Sequence, residues 1–439
     1  MKNELSRRSL LQAGSAIAAG LEIGAKSRGD DKLAVLGGTP VNSGRFPSWP
    51  EIRENDERGW MEVLRSKHWF RYEGRLVKKF EETWAKHLGA KYCQATSSGT
   101  SALLTCLNAL GVGPGDEVLV PPYTFVATVN VVLLQHALPI FVDSDIETFQ
   151  MNAGKIETAI TDRTRCLLPV HLGGSAADMD AILAIGQRRK LPVLEDTCQS
   201  HLAEWKGKKL STLGDLGCFS FQGSKNLNAG EGGAILTNSQ ELYEKCWAFQ
   251  NNSGGPAGSS LWQPQVGCNL RMTEFQGCLL LEQMSRVEDQ SRHRERNANY
   301  LTGMLNEIPG ITPAKMYPGC TRNAYHLYMF RYNASQFAGA PKARFLEALR
   351  AEGVPCSGGY SPLNKAAFIK NTLDSRAYKT IYSAKQLSEW EERNLCPAND
   401  RLCAEAVWLT QNMLLGSKQD MDKIAEAIAK INKNAKSLA

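Results

Sequence analysis

Three features of this chain have residue types and spacing suited to chemistry: a lysine between two glycine-rich turns, an aspartate closing an apolar run, and a Ser-Gly-Thr turn opening a helical pattern. The lysine is Lys225, within G-C-F-S-F-Q-G-S-K-N-L-N-A-G-E-G-G from Gly217 to Gly233. An apolar strand pattern precedes it, and a Glu-Gly-Gly and a second apolar run, Ala234 to Leu236, follow it, so backbone on both sides fixes its position. Burial there favours the neutral amine, which can form an imine with an aldehyde. A single lysine is ordinarily a solvated surface charge, so its neighbours must carry the case.

Those neighbours suit one aldehyde cofactor, pyridoxal phosphate. Thr96-Ser97-Ser98-Gly99-Thr100 follows a strand pattern and opens a helix, presenting free N–H groups and the positive helix end to a phosphate; Ser98 or Thr100 serving only as an N-cap is the plainer alternative. Asp196 closes Leu194-Glu195-Asp196, where a carboxylate can bond the pyridine nitrogen and keep it protonated; a turn or cap residue is the other reading. Gln199 can donate to the ring hydroxyl oxygen, Ser220 can bond the phosphate, and Phe125 can stack on the ring or be ordinary core.

Around these residues, 439 amino acids with 43% hydrophobic content suffice for a sizeable core and two domains. The net charge of +6 comes from 51 basic and 45 acidic residues without a block of like charges, which argues against a nucleic-acid arm. Twelve cysteines form neither a C-x-x-C pair nor a Cys/His cluster of zinc spacing, so no metal is expected. Several lie in apolar runs as small buried hydrophobes, which fits folding in a reducing compartment. The N-terminus, Ser6-Arg7-Arg8-Ser9-Leu10-Leu11 and a weakly apolar stretch, resembles a twin-arginine export signal; a disordered basic tail is the equal alternative. This leaves the compartment open between cytoplasm and periplasm. No run approaches the roughly 20 apolar residues that span a membrane.

The elements that must position the chemistry alternate in type. After a signal or tail over 1–32, an arm and two helical patterns (Asp56 to Arg65, Arg75 to His87) occupy 33–90. Strand patterns then fall at Tyr92 to Thr96, Glu117 to Val120, Pro139 to Val142, Cys166 to Val170, Pro192 to Leu194, Leu216 to Phe221 and Ala234 to Leu236. Helical patterns lie between most of them. This alternation over 91–304 predicts an α/β domain with a mostly parallel central sheet covered on both faces. In such a sheet the loops after the strands hold the ligand, and the residues above lie in those loops. Arg271 to Met304 predicts a long helix leaving this domain, and 305–439 a smaller C-terminal α/β domain.

Five segments, S-G-T-S-A-L (98–103), P-P-Y-T-F-V-A-T (121–128), E-D-T-C-Q-S-H (195–201), G-D-L-G-C-F-S-F-Q-G-S-K-N-L-N-A-G-E-G-G (214–233) and G-C-N-L-R-M-T-E-F-Q (267–276), resemble in order those of the DegT/DnrJ/EryC1/StrS family. These are pyridoxal-phosphate-dependent aminotransferases of the aspartate-aminotransferase (type I) fold, best known for aminating keto-sugars. The resemblance runs from about residue 33 to the C-terminus. It implies Lys225 as the lysine of the internal aldimine, Asp196 as the pyridinium partner and Gln199 at the ring hydroxyl. It further implies Ser220, Gly99 and Thr100 at the phosphate, Phe125 on the ring, and Asn269 reaching the phosphate bound by a neighbouring subunit, hence a homodimer with shared sites.

L-A-V-L-G-G-T-P-V (33–41) and S-K-H-W-F-R (66–71) are most similar to the branch of 3-amino-5-hydroxybenzoate synthases and scyllo-inosose aminotransferases, which often uses glutamine as donor. His326 and Tyr360 lie in segments resembling family segments near the active site. Two departures stand out: Thr197-Cys198 replaces the usual small pair, and Gln411-Asn412 stands where Pro-His is common, which draws attention to the substrate side.

The expected reaction is amino transfer from glutamate or glutamine to a keto-sugar or keto-cyclitol. A same-fold sugar dehydratase is the rival among enzymes, disfavoured because its lysine position is typically histidine. A non-catalytic exported binding or regulatory homologue is the rival outside enzymes. No G-x-G-x-x-G follows a strand pattern, which disfavours a nicotinamide oxidoreductase.

Overall fold

The computed structural model describes residues 31–255 and 266–438. The twin-arginine motif around Arg7 and Arg8 lies outside the described residues.

Seven short strands form the central sheet: β1 (Tyr92–Thr96), β2 (Glu117–Val120), β3 (Leu138–Phe141), β4 (Thr164–Leu167), β5 (Leu194–Asp196), β6 (Leu216–Ser220) and β7 (Gly233–Thr237). β2 pairs in parallel with β3 and β4, and β5 in parallel with β6. Parallel bridges Leu167↔Val193 and Val170↔Asp196 join the two sets. β7 runs antiparallel between β6 and β1, with Gly233 opposite both Ser220 and Thr96. The order is therefore β3-β2-β4-β5-β6-β7-β1, and β7 is the one reversed strand, which is the mostly parallel sheet expected.

The strands are buried on both faces, which is why they read as nearly continuous apolar runs. Leu216, Cys218 and Ile235 face one core with Leu103, Val132 and Ile182. Phe219, Phe221, Ala234 and Leu236 face the other, against Phe80 and Trp84 from the helix Leu76–Leu88.

A 32-residue helix, Glu274–Leu305, starts at a Thr273/Gln276 capping box. Its Leu280 and Val287 belong to the second core, whereas Ala298, Leu301 and Leu305 belong to a third. That third core lies beneath an antiparallel sheet of β8 (Ile311–Pro313), β9 (Leu327–Tyr332) and β10 (Ala406–Thr410) and the helices Lys342–Ala351 and Lys418–Lys433.

The stretch 305–439 does not pack as one body. Helices over Ala367–Leu373, Arg376–Ile381, Ala384–Arg393 and Pro397–Glu405 return to the first core, contributing Ile369, Tyr378, Trp390 and Leu402. Trp390 Nε1 donates to Pro139 O at 2.9 Å, and Asn394 Oδ1 accepts from Phe141 N at 2.6 Å, both on β3. The arm does the converse: Leu33 sits in the third core, and Ala34 N and Val41 N donate to Glu352. Among the described residues no helix is long and apolar enough to cross a membrane.

Candidate active site

The loops leaving the carboxyl ends of β1, β2, β5 and β6 converge on one cleft of 660 Å³. It brings together Gly99, Thr100, Phe125, Asp196, Gln199, Ser220 and Lys225, seven of the eight residues expected from sequence. Asn269 lies outside it: exposed, it accepts from Arg271 N at 3.4 Å.

Lys225 sits on the hairpin connecting β6 to β7. Phe221 N donates to Gly232 O at 2.8 Å, Gly223 N to Gly230 O at 2.9 Å, and Lys225 N to Gln222 O at 2.8 Å. The arm adds Trp49 Nε1, donating to Lys225 O at 3.2 Å. The side chain is half-buried, and its amine is held below the ordinary lysine range by burial, against the opposing pull of Cys198 and Asp196.

Asp196 ends β5 with its carboxylate in the cleft. Oδ1 accepts from Cys198 N at 3.1 Å, and Oδ2 from Thr128 Oγ1 at 2.9 Å. Gln199 is fixed at both ends of its amide: Oε1 accepts from Gly173 N at 2.8 Å, and Nε2 donates to the Tyr360 hydroxyl at 3.1 Å. Burial pushes that phenol up to about 12, with Gln199 opposing, so it stays protonated.

Gly99 opens the helix Gly99–Ala109, and Ser98 is its N-cap, its side chain accepting from Ser101 N. The N–H groups of Gly99 and Thr100 precede the first helical acceptors and point out of the helix end. A Cβ on Gly99 would lie 2.7 Å from Ser220 Cβ and 2.9 Å from Cys198 Sγ. Only glycine therefore fits between the helix start and the end of β6. Phe125 is 55% exposed, which removes the core alternative and leaves its ring at the cleft wall.

Further residues of the site have little signal of their own in sequence. Trp408, on β10, lines the cleft at a ring-centroid distance of 4.5 Å from Tyr360 and donates to Tyr123 OH at 3.1 Å. Thr128 can be found only as the i+4 neighbour of Thr124 on the helical turn, with hydroxyls 3.1 Å apart. His326 and Tyr360, suggested by their segments, both line the cleft. Gln411 and Asn412 do not line it. Gln411 Oε1 accepts from Arg294 Nε at 2.8 Å, and Asn412 Nδ2 donates to Pro47 O at 2.6 Å. No group of metal-binding side chains occurs among the described residues.

Comparison with known proteins gives one consistent result. The model of the DegT/DnrJ/EryC1/StrS aminotransferase family matches residues 50–428. An L-glutamine:2-deoxy-scyllo-inosose aminotransferase from Streptoalloteichus tenebrarius is 34% identical over 420 residues, covering 91% of this chain and 97% of the relative. The crystal structure of a 3-amino-5-hydroxybenzoic acid synthase superposes with a TM-score of 0.79 at 29% identity, covering 91% of this chain and all of that one. NtdA from Bacillus subtilis, solved with bound cofactor PMP, superposes with a TM-score of 0.71 at 28% identity, covering 87% of this chain and 82% of that one.

Proposed function

The chain belongs to the DegT/DnrJ/EryC1/StrS aminotransferase family, and on that premise we propose that it moves an amino group from L-glutamine to a keto-cyclitol, using pyridoxal phosphate held at Lys225. The observation that carries this reading is the convergence of Lys225, Asp196 and the Gly99 turn on one cleft at the strand ends.

The donor set fits the cofactor. The cradle that a Cβ on Gly99 would fill leaves the helix start and Ser220 to a phosphate. Asp196, 4% exposed with both oxygens oriented, supplies a carboxylate for a pyridinium nitrogen, and Gln199 a directed amide N–H for a ring hydroxyl. Phe125 offers a free ring face. When bound, pyridoxal phosphate supplies an aldehyde that condenses with amines and a ring that withdraws electrons from the carbon being deprotonated.

The chain's own residues do the rest. Lys225 Nζ, its basicity lowered by burial, would anchor the cofactor and, once released, would take a proton from one carbon and return it to another as general base and acid. Asp196, held by Thr128 and Cys198, would present its carboxylate to the ring nitrogen. Tyr360 and Trp408 present a phenol and an aromatic face to the outer cleft. Lys225 is the one Lys or Arg among the described residues lining it, which favours an uncharged polyhydroxylated acceptor over one bearing phosphates. The S. tenebrarius relative, which by name takes L-glutamine and 2-deoxy-scyllo-inosose, supports the donor and acceptor classes.

A two-fold dimer is proposed as the active unit. Asn269 is exposed and outside its own cleft, as a residue serving a neighbour's site would be, and exposed Trp69, Phe70 and Tyr72 offer apolar surface for the contact.

The test is a spectral one. Addition of L-glutamine to the cofactor-loaded protein should convert the cofactor to its amine form, and scyllo-inosose or 2-deoxy-scyllo-inosose should return it. Failure of every amino donor to change the spectrum would overturn the aminotransferase reading, whereas conversion without return would overturn only the acceptor.

A further inference from the structure

His326 is a cleft residue with no place in the scheme above, and its surroundings are specific. It is 7% exposed, at the start of β9 in the part of the chain built on the third core. Its Nε2 lies 3.5 Å from Lys225 Nζ, the long end of hydrogen-bond range, and its Nδ1 lies 3.3 Å from Asn226 Oδ1. Asn226 is itself 3% exposed, and its Nδ2 donates to Ala324 O at 2.7 Å.

That last contact settles where the protons are. A carbonyl can only accept, so the Asn226 amide must turn its NH₂ to Ala324 and its oxygen to His326. His326 Nδ1 must then carry the proton that the amide oxygen accepts. In a neutral imidazole this leaves the Nε2 lone pair facing Lys225. The ring is neutral: burial, with Lys225, His201 and Arg294 around it, holds it well below the ordinary histidine range. Arg294 is fully buried, and its Nη1 and Nη2 have no hydrogen-bond partner among the described residues. The groups that act on His326 are all bases, and none is a carboxylate that would draw a second proton onto the ring.

We propose that His326 is a positioning residue for Lys225: Asn226 fixes it as the Nδ1–H tautomer, and its Nε2 accepts a hydrogen bond from Lys225 Nζ whenever the amine is not bonded to the cofactor. One N–H of the amine is thereby seated against β9, and its remaining valences face the cleft. Because Asn226 is the next residue after Lys225, the hairpin that carries the lysine also sets the tautomer of the ring that receives it. The device rests on the reading of Lys225 as the cofactor lysine, but its geometry is tested separately.

The test uses the full-length, cofactor-loaded enzyme labelled with ¹⁵N-histidine. The ring signals of His326, identified by their loss in His326→Gln, should show a proton on Nδ1 and none on Nε2 at neutral pH. A proton on Nε2, or an imidazolium, overturns the proposal even if every variant is active. His326→Leu should keep the absorbance of the lysine-bound cofactor, lower kcat at least about tenfold and change the KM for the amino donor less than about threefold, since only the released amine is misplaced. His326→Gln, whose amide oxygen can stand where Nε2 does, should recover kcat to within about threefold of wild type. Equal kcat in the Leu variant and wild type, or no recovery in the Gln variant, overturns it; a Leu variant that does not fold leaves the decision to the tautomer. Absence of lysine-bound cofactor in the wild type would instead overturn the function of Lys225 itself.

Discussion

Thr128 Oγ1 donates to Asp196 Oδ2 at 2.9 Å, joining a helix after β2 to the end of β5 across 68 residues of sequence. With Cys198 N on the other oxygen, the carboxylate cannot rotate without breaking a bond. Its use as a counter-charge to the ring nitrogen predicts that Asp196→Asn lowers turnover about 100-fold or more, the scale of losing one preorganised electrostatic partner. Thr128→Val, which removes one neutral donor worth about 1 kcal/mol, should lower it only about fivefold. Steady-state kinetics with the cofactor spectrum recorded in parallel would check both, and a reversed order would refute the assignment.

Gly99 is the tightest point of the proposed phosphate cradle. Gly99→Ala places a methyl 2.7 Å from Ser220 Cβ, so one wall has to move. The expected result is a cost of about 1–3 kcal/mol, typical of overpacking, taken mainly as weakened cofactor binding. Equilibrium dialysis of the cofactor against wild type and variant measures it; unchanged affinity would place the phosphate elsewhere.

Lys225 gives a pH signature without turnover. Its folded-state pKa lies below the unfolded value of 10.5, so between the two the unfolded chain binds more protons and raising the pH stabilises the fold. Below that window the buried charge is a constant penalty. Cofactor-free Lys225→Met should therefore resist urea better than wild type at neutral pH, with the difference shrinking as pH approaches 10.5. The same variant should lose the lysine-bound absorbance and turnover altogether.

His201 sets an acid limit. Its Nε2 donates to Ser220 O at 2.9 Å beside the rings of Phe219 and Phe221, and burial, reinforced by Lys225, lowers it from 6.5 to about 3. Stability from the neutral ring is complete above pH 6.5 and falls by about 1.4 kcal/mol per unit as pH drops toward 3, where the unfolded chain alone takes the proton. His201→Phe should show a flatter acid limb in urea unfolding between pH 6 and 4; an unchanged slope would contradict this.

Much of the fold is legible in the sequence because its strands are buried on both sides. Tyr92 to Thr96 and Glu117 to Val120 are bounded as expected. β5 is displaced, ending at Asp196 rather than Leu194, because the acid is buried and its backbone still pairs with β6 opposite Cys218. Side-chain polarity alone suggests a loop there. The return of the segment around Trp390 to β3 cannot be read locally, since its apolar face suits either core. Within the site, residues on strand-end loops are found by their motifs. Asn226 and His326 are not found as a pair, because their relation spans a sequence separation of 100 and depends on which way an amide turns. Gln411 and Asn412 draw attention to the substrate side, yet one serves Arg294 and the other the arm.

The reversed strand β7 has a consequence for how this enzyme can vary. With no crossover helix between β6 and β7, Lys225 stands on a closed hairpin whose two ends, Ser220 and Gly233, are paired with each other. A residue added to or removed from the hairpin has no slack to disappear into. It displaces the lysine by about 3.3 Å, the rise of one extended residue, nearly the whole separation between Nζ and His326. Length changes between these two residues should therefore be far less tolerated than substitutions, making the spacing itself, rather than any one side chain, the inherited quantity.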